Sequence, residues 1–263
     1  MQSTRNFLIA LLFLALLPAL AFSQEKTVID LSQHEARVYS QNGEDGVIKM
    51  IFECIGKSTG TYVEFGCERG LECNTRLLRE AGWKGLLMDG SWHIPQINLQ
   101  KEFITKSNIN DLFKKHHVPK NLELLSIDID YNDFYVWQAV DKSYQPDVVV
   151  IEYNATHLPH EDKIVLYHPT NMWDGTNYFG GSLLAMFNLG RSKGYSLVYA
   201  ESRGVNLFFI RDDLLEQIPY TFLNTNNVQA LYRVPSYGSG PNGGHQADPK
   251  RRPYISSTAL IRK

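Results

Sequence analysis

The sequence predicts an α/β domain built on a mostly parallel sheet with helices on both faces. Three observations carry that prediction. Short apolar strands alternate with helical stretches along the chain. The runs LELLSIDID at 122–130 and DVVVIEY at 147–153 are apolar with no helical period, as strands covered on both faces require. Residues 61–90 read as a single strand, turn, helix and strand. With 263 residues, 43% of them hydrophobic, the chain is long enough for one sizeable core.

Ahead of the domain, Arg5 and the apolar run from Phe7 to Phe22 read as a signal peptide over residues 1–23, with a short uncleaved anchor as the rival. The mature chain is then expected in the endoplasmic reticulum, the Golgi lumen or the outside, with no stable membrane span once the leader is cleaved. SQNGED at 40–45 opens a helix to about Ile55, with Val47, Ile48, Ile51 and Phe52 spaced to face a core. Thr61 to Phe65 form a strand. Gly66 and Gly70 bracket a tight turn, Glu72 to Ala81 form a helix that Gly82 stops, and Gly85 to Met88 form a strand ending on Asp89. Ile94 to Glu102 read as helical, Phe103 to Lys106 as a short strand, and Ile109 to His117 as a helix. The strand at 122–130 is followed by a helix from Asp133 to Val140, and the strand at 147–153 by an amphipathic helix from Gly180 to Lys193. Tyr195 to Tyr199 and Leu207 to Ile210 are expected as antiparallel neighbours. Residues 24–232 form the domain, and 233–263 a Gly/Pro-rich segment whose stretch from Pro235 to Pro253 is a long loop or a partly disordered tail.

A net charge of −2 gives no field for nucleic acid, and Lys250, Arg251 and Arg252 read as a solvated tail. Cys54, Cys67 and Cys73 lack metal-ligand spacing and read as buried small residues, with a bridge between Cys67 and Cys73 as the alternative. Asn154-Ala155-Thr156 is a glycosylation sequon directly after an apolar strand. Oligomeric state leaves no mark.

Chemistry is expected beyond the carboxyl ends of the strands, where an open parallel sheet binds its ligands. Those ends carry Gly66 to Gly70, Asp89, Asp128 with Asp130, and Glu152 with Asn154. Glycines let backbone approach a ligand, and an acid at the end of the next strand suits ribose hydroxyls. The turn lacks the middle glycine of dinucleotide-binding loops, having Glu68 there, which favours one nucleoside over a pyrophosphate. Trp173, Asp174, Tyr178 and Phe179 form an aromatic segment that serves either as a lid over an acceptor or as an anchor for its loop. His157, His160 and His168 read as loop residues.

Several words together resemble the FkbM-like branch of the S-adenosylmethionine-dependent methyltransferases. They are SQNGED at 40–45, YVEFGCERG at 62–70, NT at 74–75, GWKGLLMDG at 82–90, LSIDIDYND at 125–133, VVVIEYN at 148–154, YFGGSLLAM at 178–186 and GYSLVY at 194–199. The resemblance covers about residues 39–215. It implies a seven-stranded Rossmann-like methyltransferase fold with S-adenosylmethionine over Glu64, Gly66 and Gly70, its ribose on Asp89 and its adenine near Asn110. Asp128 would face the methionine part. Two departures stand out: Glu68-Arg69 in the turn, and Asp89-Gly90-Ser91 where many relatives have Glu-Pro. The activity expected is O-methylation of a glycan or small hydroxylated acceptor, with Asp130 or Glu152 as base. Alternatively Asp128, Asp130 and Asn154 hold a divalent cation. The rivals are a non-catalytic lumenal or secreted binding or trafficking protein and, more distantly, a nicotinamide-dependent oxidoreductase.

Overall fold

The computed structural model describes residues 25–261, so the expected leader at 1–23 lies outside the described residues. In chain order the elements are β1 (Thr27–Ile29), α1 (Glu44–Ile55), β2 (Thr61–Phe65), α2 (Arg76–Glu80), β3 (Lys84–Asp89), β4 (Leu99–Lys101), α3 (Ile109–Lys115) and β5 (Leu124–Ile127). There follow α4 (Asp133–Ala139), β6 (Val148–Glu152), β7 (Ile164–Val165), α5 (Leu183–Ser192), β8 (Tyr195–Ala200) and β9 (Asn206–Arg211). The last are α6 (Asp212–Gln217), β10 (Tyr220–Phe222), α7 (Val228–Leu231), β11 (Tyr254–Ile255) and α8 (Ser257–Leu260).

Seven strands form one sheet in the order β4-β3-β2-β5-β6-β9-β8. The first five are parallel, and β9 runs antiparallel to both of its neighbours. The pair expected to be antiparallel at the end of the chain is β8 with β9.

Strand alternation builds two cores, one on each face. Val63 and Phe65 of β2 point to the face covered by α3, α4 and α5, where Phe113, Trp137 and Leu189 pack. Tyr62 points to the other face, where Val47, Ile51 and Phe52 of α1 and Leu78 of α2 pack. Helices on both faces follow from strands apolar on both faces.

Three local expectations are corrected. The segment expected as a helix from Ile94 to Glu102 contains a single 3-10 turn, Pro95–Ile97, and then β4, which pairs with β3 at the sheet edge. Asn98, in the left-handed region at φ 53, makes the break between them. Residues 103–106, expected as a strand, join β4 to α3 without forming one. The helix expected from Glu72 begins only at Arg76, because a carboxylate from β2 holds the preceding turn, as described below.

The Gly/Pro-rich segment is a long, placed loop that returns to the domain. Its β11 pairs antiparallel with β7, and Ser257 Oγ receives a hydrogen bond from Asn188 of α5 at 2.9 Å. Within the basic cluster, Arg252 is not simply solvated: it pairs with Asp248 at 3.0 Å and Asp174 at 2.8 Å and lies over the Tyr178 ring at 4.1 Å. Among the described residues no helix is long and apolar enough to cross a membrane.

Candidate functional site

From β2 the chain steps to β3 and β4 on one side, then to β5 and β6 on the other, so a crevice opens beyond the carboxyl ends of β2 and β5. Register decides what meets there. Phe65 lies opposite Met88 and Ile127, and Ile127 lies opposite Ile151. The next residues along, Gly66, Asp89, Asp128 and Glu152, therefore stand side by side.

The residues expected to hold a cofactor have internal duties. Glu64 is buried, and its carboxylate accepts from the Asn74 backbone N–H at 2.8 Å, the Thr75 N–H at 3.0 Å and the Thr75 hydroxyl. It thus caps α2 from across the fold, and burial still raises its pKa. Gly66 is in the left-handed region at φ 69, and a Cβ there would overlap the Asp128 carbonyl. Gly70, at φ 68, leaves room for Ile97 and Leu87. Asp89 accepts at Oδ2 from the Glu68 N–H at 2.9 Å, and at Oδ1 from the N–H groups of Ser91 at 2.7 Å and Trp92 at 3.2 Å. One acceptor position remains on Oδ2.

Asn110 is not at the crevice. Its amide donates to the Ala139 carbonyl at 2.8 Å and accepts from the Asp141 N–H at 2.9 Å, so it fastens α3 to the carboxyl end of α4. Position within a motif word suggested the adenine; helix-to-helix packing decides the geometry.

Asp128, Asp130 and Glu152 each bring a carboxylate oxygen within 4.8 Å of the others. Asp128 and Glu152 are half-buried, and Asp130 is exposed with its backbone at φ 65. Burial raises the Asp128 carboxyl well above the usual range, and Asp130 and Asp133 push it further. Glu152 is raised in the same way, by burial and then by Asp128. Although the residue as a whole is exposed, the Asp130 carboxyl is partly desolvated among the neighbouring acids, and that desolvation, with Glu68 and Asp89, raises it. Asp133, at the start of α4, is fully buried; Oδ1 accepts from the Ile129 N–H at 2.7 Å, and burial raises the carboxyl to about 7.

A cavity of about 180 Å³ opens beside the acids. Asp130, Glu152 and Tyr153 supply one wall, Gln41 of the SQNGED turn and Val205 a second, Trp173 and Phe179 a third, and Tyr237 and His245 of the C-terminal loop the last. His245 is the centre of an aromatic cluster, with ring centroids 4.4 Å from Trp173, 5.0 Å from Tyr237 and 5.5 Å from Phe179. The aromatic segment therefore divides: Trp173 and Phe179 face the cavity, whereas Asp174 and Tyr178 hold Arg252. Among the described residues, Glu152 Oε2 and the hydroxyls of Tyr153 and Tyr237 are buried without a hydrogen-bond partner.

SQNGED explains its own loop. Asp45 Oδ2 accepts from the N–H groups of Val38, Tyr39 and Ser40 and from the Ser40 hydroxyl, winding the chain around one carboxylate and presenting Gln41 outward. Gln41, Tyr237 and His245 were absent from the sequence reading of the site. Gln41 alone had a signal, its place in a motif word.

Asn154 is not available to a cation or a glycan. It is fully buried, its amide donates to the Asn177 and Phe179 carbonyls at 2.8 and 3.0 Å, and its oxygen accepts from the Thr156 N–H at 3.1 Å. Glu152 stands where Asn154 was expected. His157 is buried edge-on against Tyr254, and burial lowers its pKa to about 4. Cys54, Cys67 and Cys73 are free and buried.

No family model matches the chain, and no curated protein matches it.

Proposed function

We propose that the chain is an S-adenosylmethionine-dependent methyltransferase that O-methylates a glycan or small hydroxylated acceptor in the secretory pathway. The observation that carries the proposal is the sign of the charge at the crevice. Asp89, Asp128 and Asp130 gather around Gly66, and Glu68 faces Asp130 closely enough to raise its pKa. A pyrophosphate is repelled there, whereas a sulfonium and an ammonium are attracted, which sets the nicotinamide reading aside. The seven-stranded sheet and the acid ending β3 agree with the family that the sequence resembles. Gly66 is exposed, and Asp89 Oδ2 has one place for a ribose hydroxyl.

When bound, the cofactor supplies an electrophilic methyl group. Trp173, Phe179 and His245 would seat the acceptor and exclude water, and Glu152 Oε2 would accept the proton of the acceptor hydroxyl. Asp130, at the mouth, is the second candidate base.

A non-catalytic lumenal binding or trafficking protein is the alternative, favoured by one observation: Glu64, Gly66 and Gly70 all answer to contacts inside the fold. Calorimetry with S-adenosylmethionine separates the two. Saturable binding that Asp89→Ala abolishes is expected. Glu152→Gln should keep that affinity but slow transfer of labelled methyl to a panel of oligosaccharides by about 10²–10⁴-fold. Absence of heat and of thermal stabilisation, with or without magnesium, would leave only the binding-protein reading.

A further inference from the structure

We infer that Asp128, Asp130 and Glu152 form a site for one divalent cation of the hard, oxygen-preferring class, such as magnesium, manganese or calcium. Geometry is the first ground. Oxygens bound to one such ion at ~2.1–2.5 Å stand at most about 5 Å apart, and the three carboxylates already offer oxygens within 4.8 Å of one another. Side chains need only small rotations to converge.

The second ground is a comparison within the molecule. Elsewhere this fold surrounds its buried acids with donors. Asp147 lies against Lys57 and Arg211, Glu64 receives two backbone N–H groups, and Asp45 receives three and a hydroxyl. At Asp128, Asp130 and Glu152 that pattern stops. Asp133, wholly buried, is tied through Oδ1 to the N–H of Ile129, between Asp128 and Asp130, at 2.7 Å, and its Oδ2 has no hydrogen-bond partner among the described residues. Glu152 Oε2 is likewise buried and unpartnered. Among the described residues no ion pair joins any of these four acids to a lysine, arginine or histidine. Carboxylates gathered without a cationic side chain call for a cation, and a carboxylate-only set selects hard metals over zinc or copper.

The site adjoins the acceptor cavity, since Asp130 and Glu152 line both. Three protein oxygens leave coordination positions open for water or for a hydroxyl in the cavity. Its existence does not depend on methyl transfer, because the acids converge whatever occupies the crevice beside Gly66.

The test uses the metal alone. The mature protein, stripped with a chelator, is titrated with magnesium, manganese and calcium by calorimetry, and manganese is followed by its paramagnetic resonance signal. One saturable site and a higher melting temperature are expected. Asp130→Asn and Glu152→Gln should each weaken binding by at least about tenfold, while the surface variant Asp111→Asn should not. Each change removes negative charge from a repelling cluster, so folded protein is expected by circular dichroism. Should Glu152→Gln fail to fold, exposed Asp130→Asn decides alone. Absence of saturable binding at millimolar metal, or undiminished binding in the Asp130→Asn variant, overturns the inference and leaves shared protons as the source of neutrality.

Discussion

At the scale of the residue, Glu201 carries the clearest pH prediction. It follows β8, is fully buried, and accepts backbone N–H groups from Arg203 at 2.8 Å and from Val205. Burial dominates, with Glu44 and Glu35 adding repulsion, and the pKa rises from 4.5 to about 7. Tyr153 and Tyr199 also face it, but burial raises both phenols and keeps them neutral in this range. The native state thus binds a proton that the unfolded chain releases first. Stability from this group is complete below pH 4.5 and lost as pH rises to about 7. The full loss is about 3 kcal/mol. Denaturant unfolding between pH 4.5 and 7.5 should show Glu201→Gln losing less stability than the wild type by that amount; parallel curves would refute the assignment. Glu201 carried no mark in the sequence, because only β8 and β9 folding back together bury it. Asp128 and Glu152 were legible for the opposite reason, as they end apolar strands whose register is set by their own residues.

At the scale of the element, what was legible was what repeats locally. Residues 61–90 show their strand, turn and strand because each is set by its own alternation and glycines. The start of α2 was not, since Glu64 reaches it from ten residues upstream. β4 was missed because three residues at a sheet edge have no period of their own and depend on pairing with β3. The C-terminal loop is the largest case: its glycines and prolines leave a long loop and a partly disordered tail both open, and side chains outside it decide for the loop. Asp162, just before β7, accepts from the Ser257 N–H at 2.9 Å and the Ser257 hydroxyl at 2.9 Å, and from the Ser256 hydroxyl. This clamp fixes β11 and α8, and with them the return of the loop that carries Tyr237 and His245. Asp162→Ala should lower stability by about 2 kcal/mol and speed proteolytic cutting between residues 238 and 252. Unchanged proteolysis in that variant would show that Arg252 alone holds the loop.

At the scale of the whole molecule, two cores back to back on one sheet make the thiols reporters of how the domain opens. Cys54 lies in α1, and Cys67 and Cys73 flank the glycine turn; all three belong to the core under α1 and α2. They are 7%, 7% and 3% exposed, and burial raises each thiol above its usual range, so thiolate is scarce in the native state. No crosslink joins them, so a reductant should leave the unfolding transition unchanged. Alkylation at pH 8 should be slow in buffer and reach three thiols in denaturant. If the sheet and its two cores open together, all three label at one rate that tracks global stability. The turn at 66–75 is held to its surroundings chiefly by Glu64 and Asp89, whereas α1 is anchored by Val47, Ile51 and Phe52. Cys67 and Cys73 should therefore label before Cys54, and a ligand at the crevice should slow that pair alone. Mass spectrometry of partly alkylated protein measures the order directly. Labelling of Cys54 first would mean that α1 detaches before the turn yields, and that the crevice is not the weakest part of the fold.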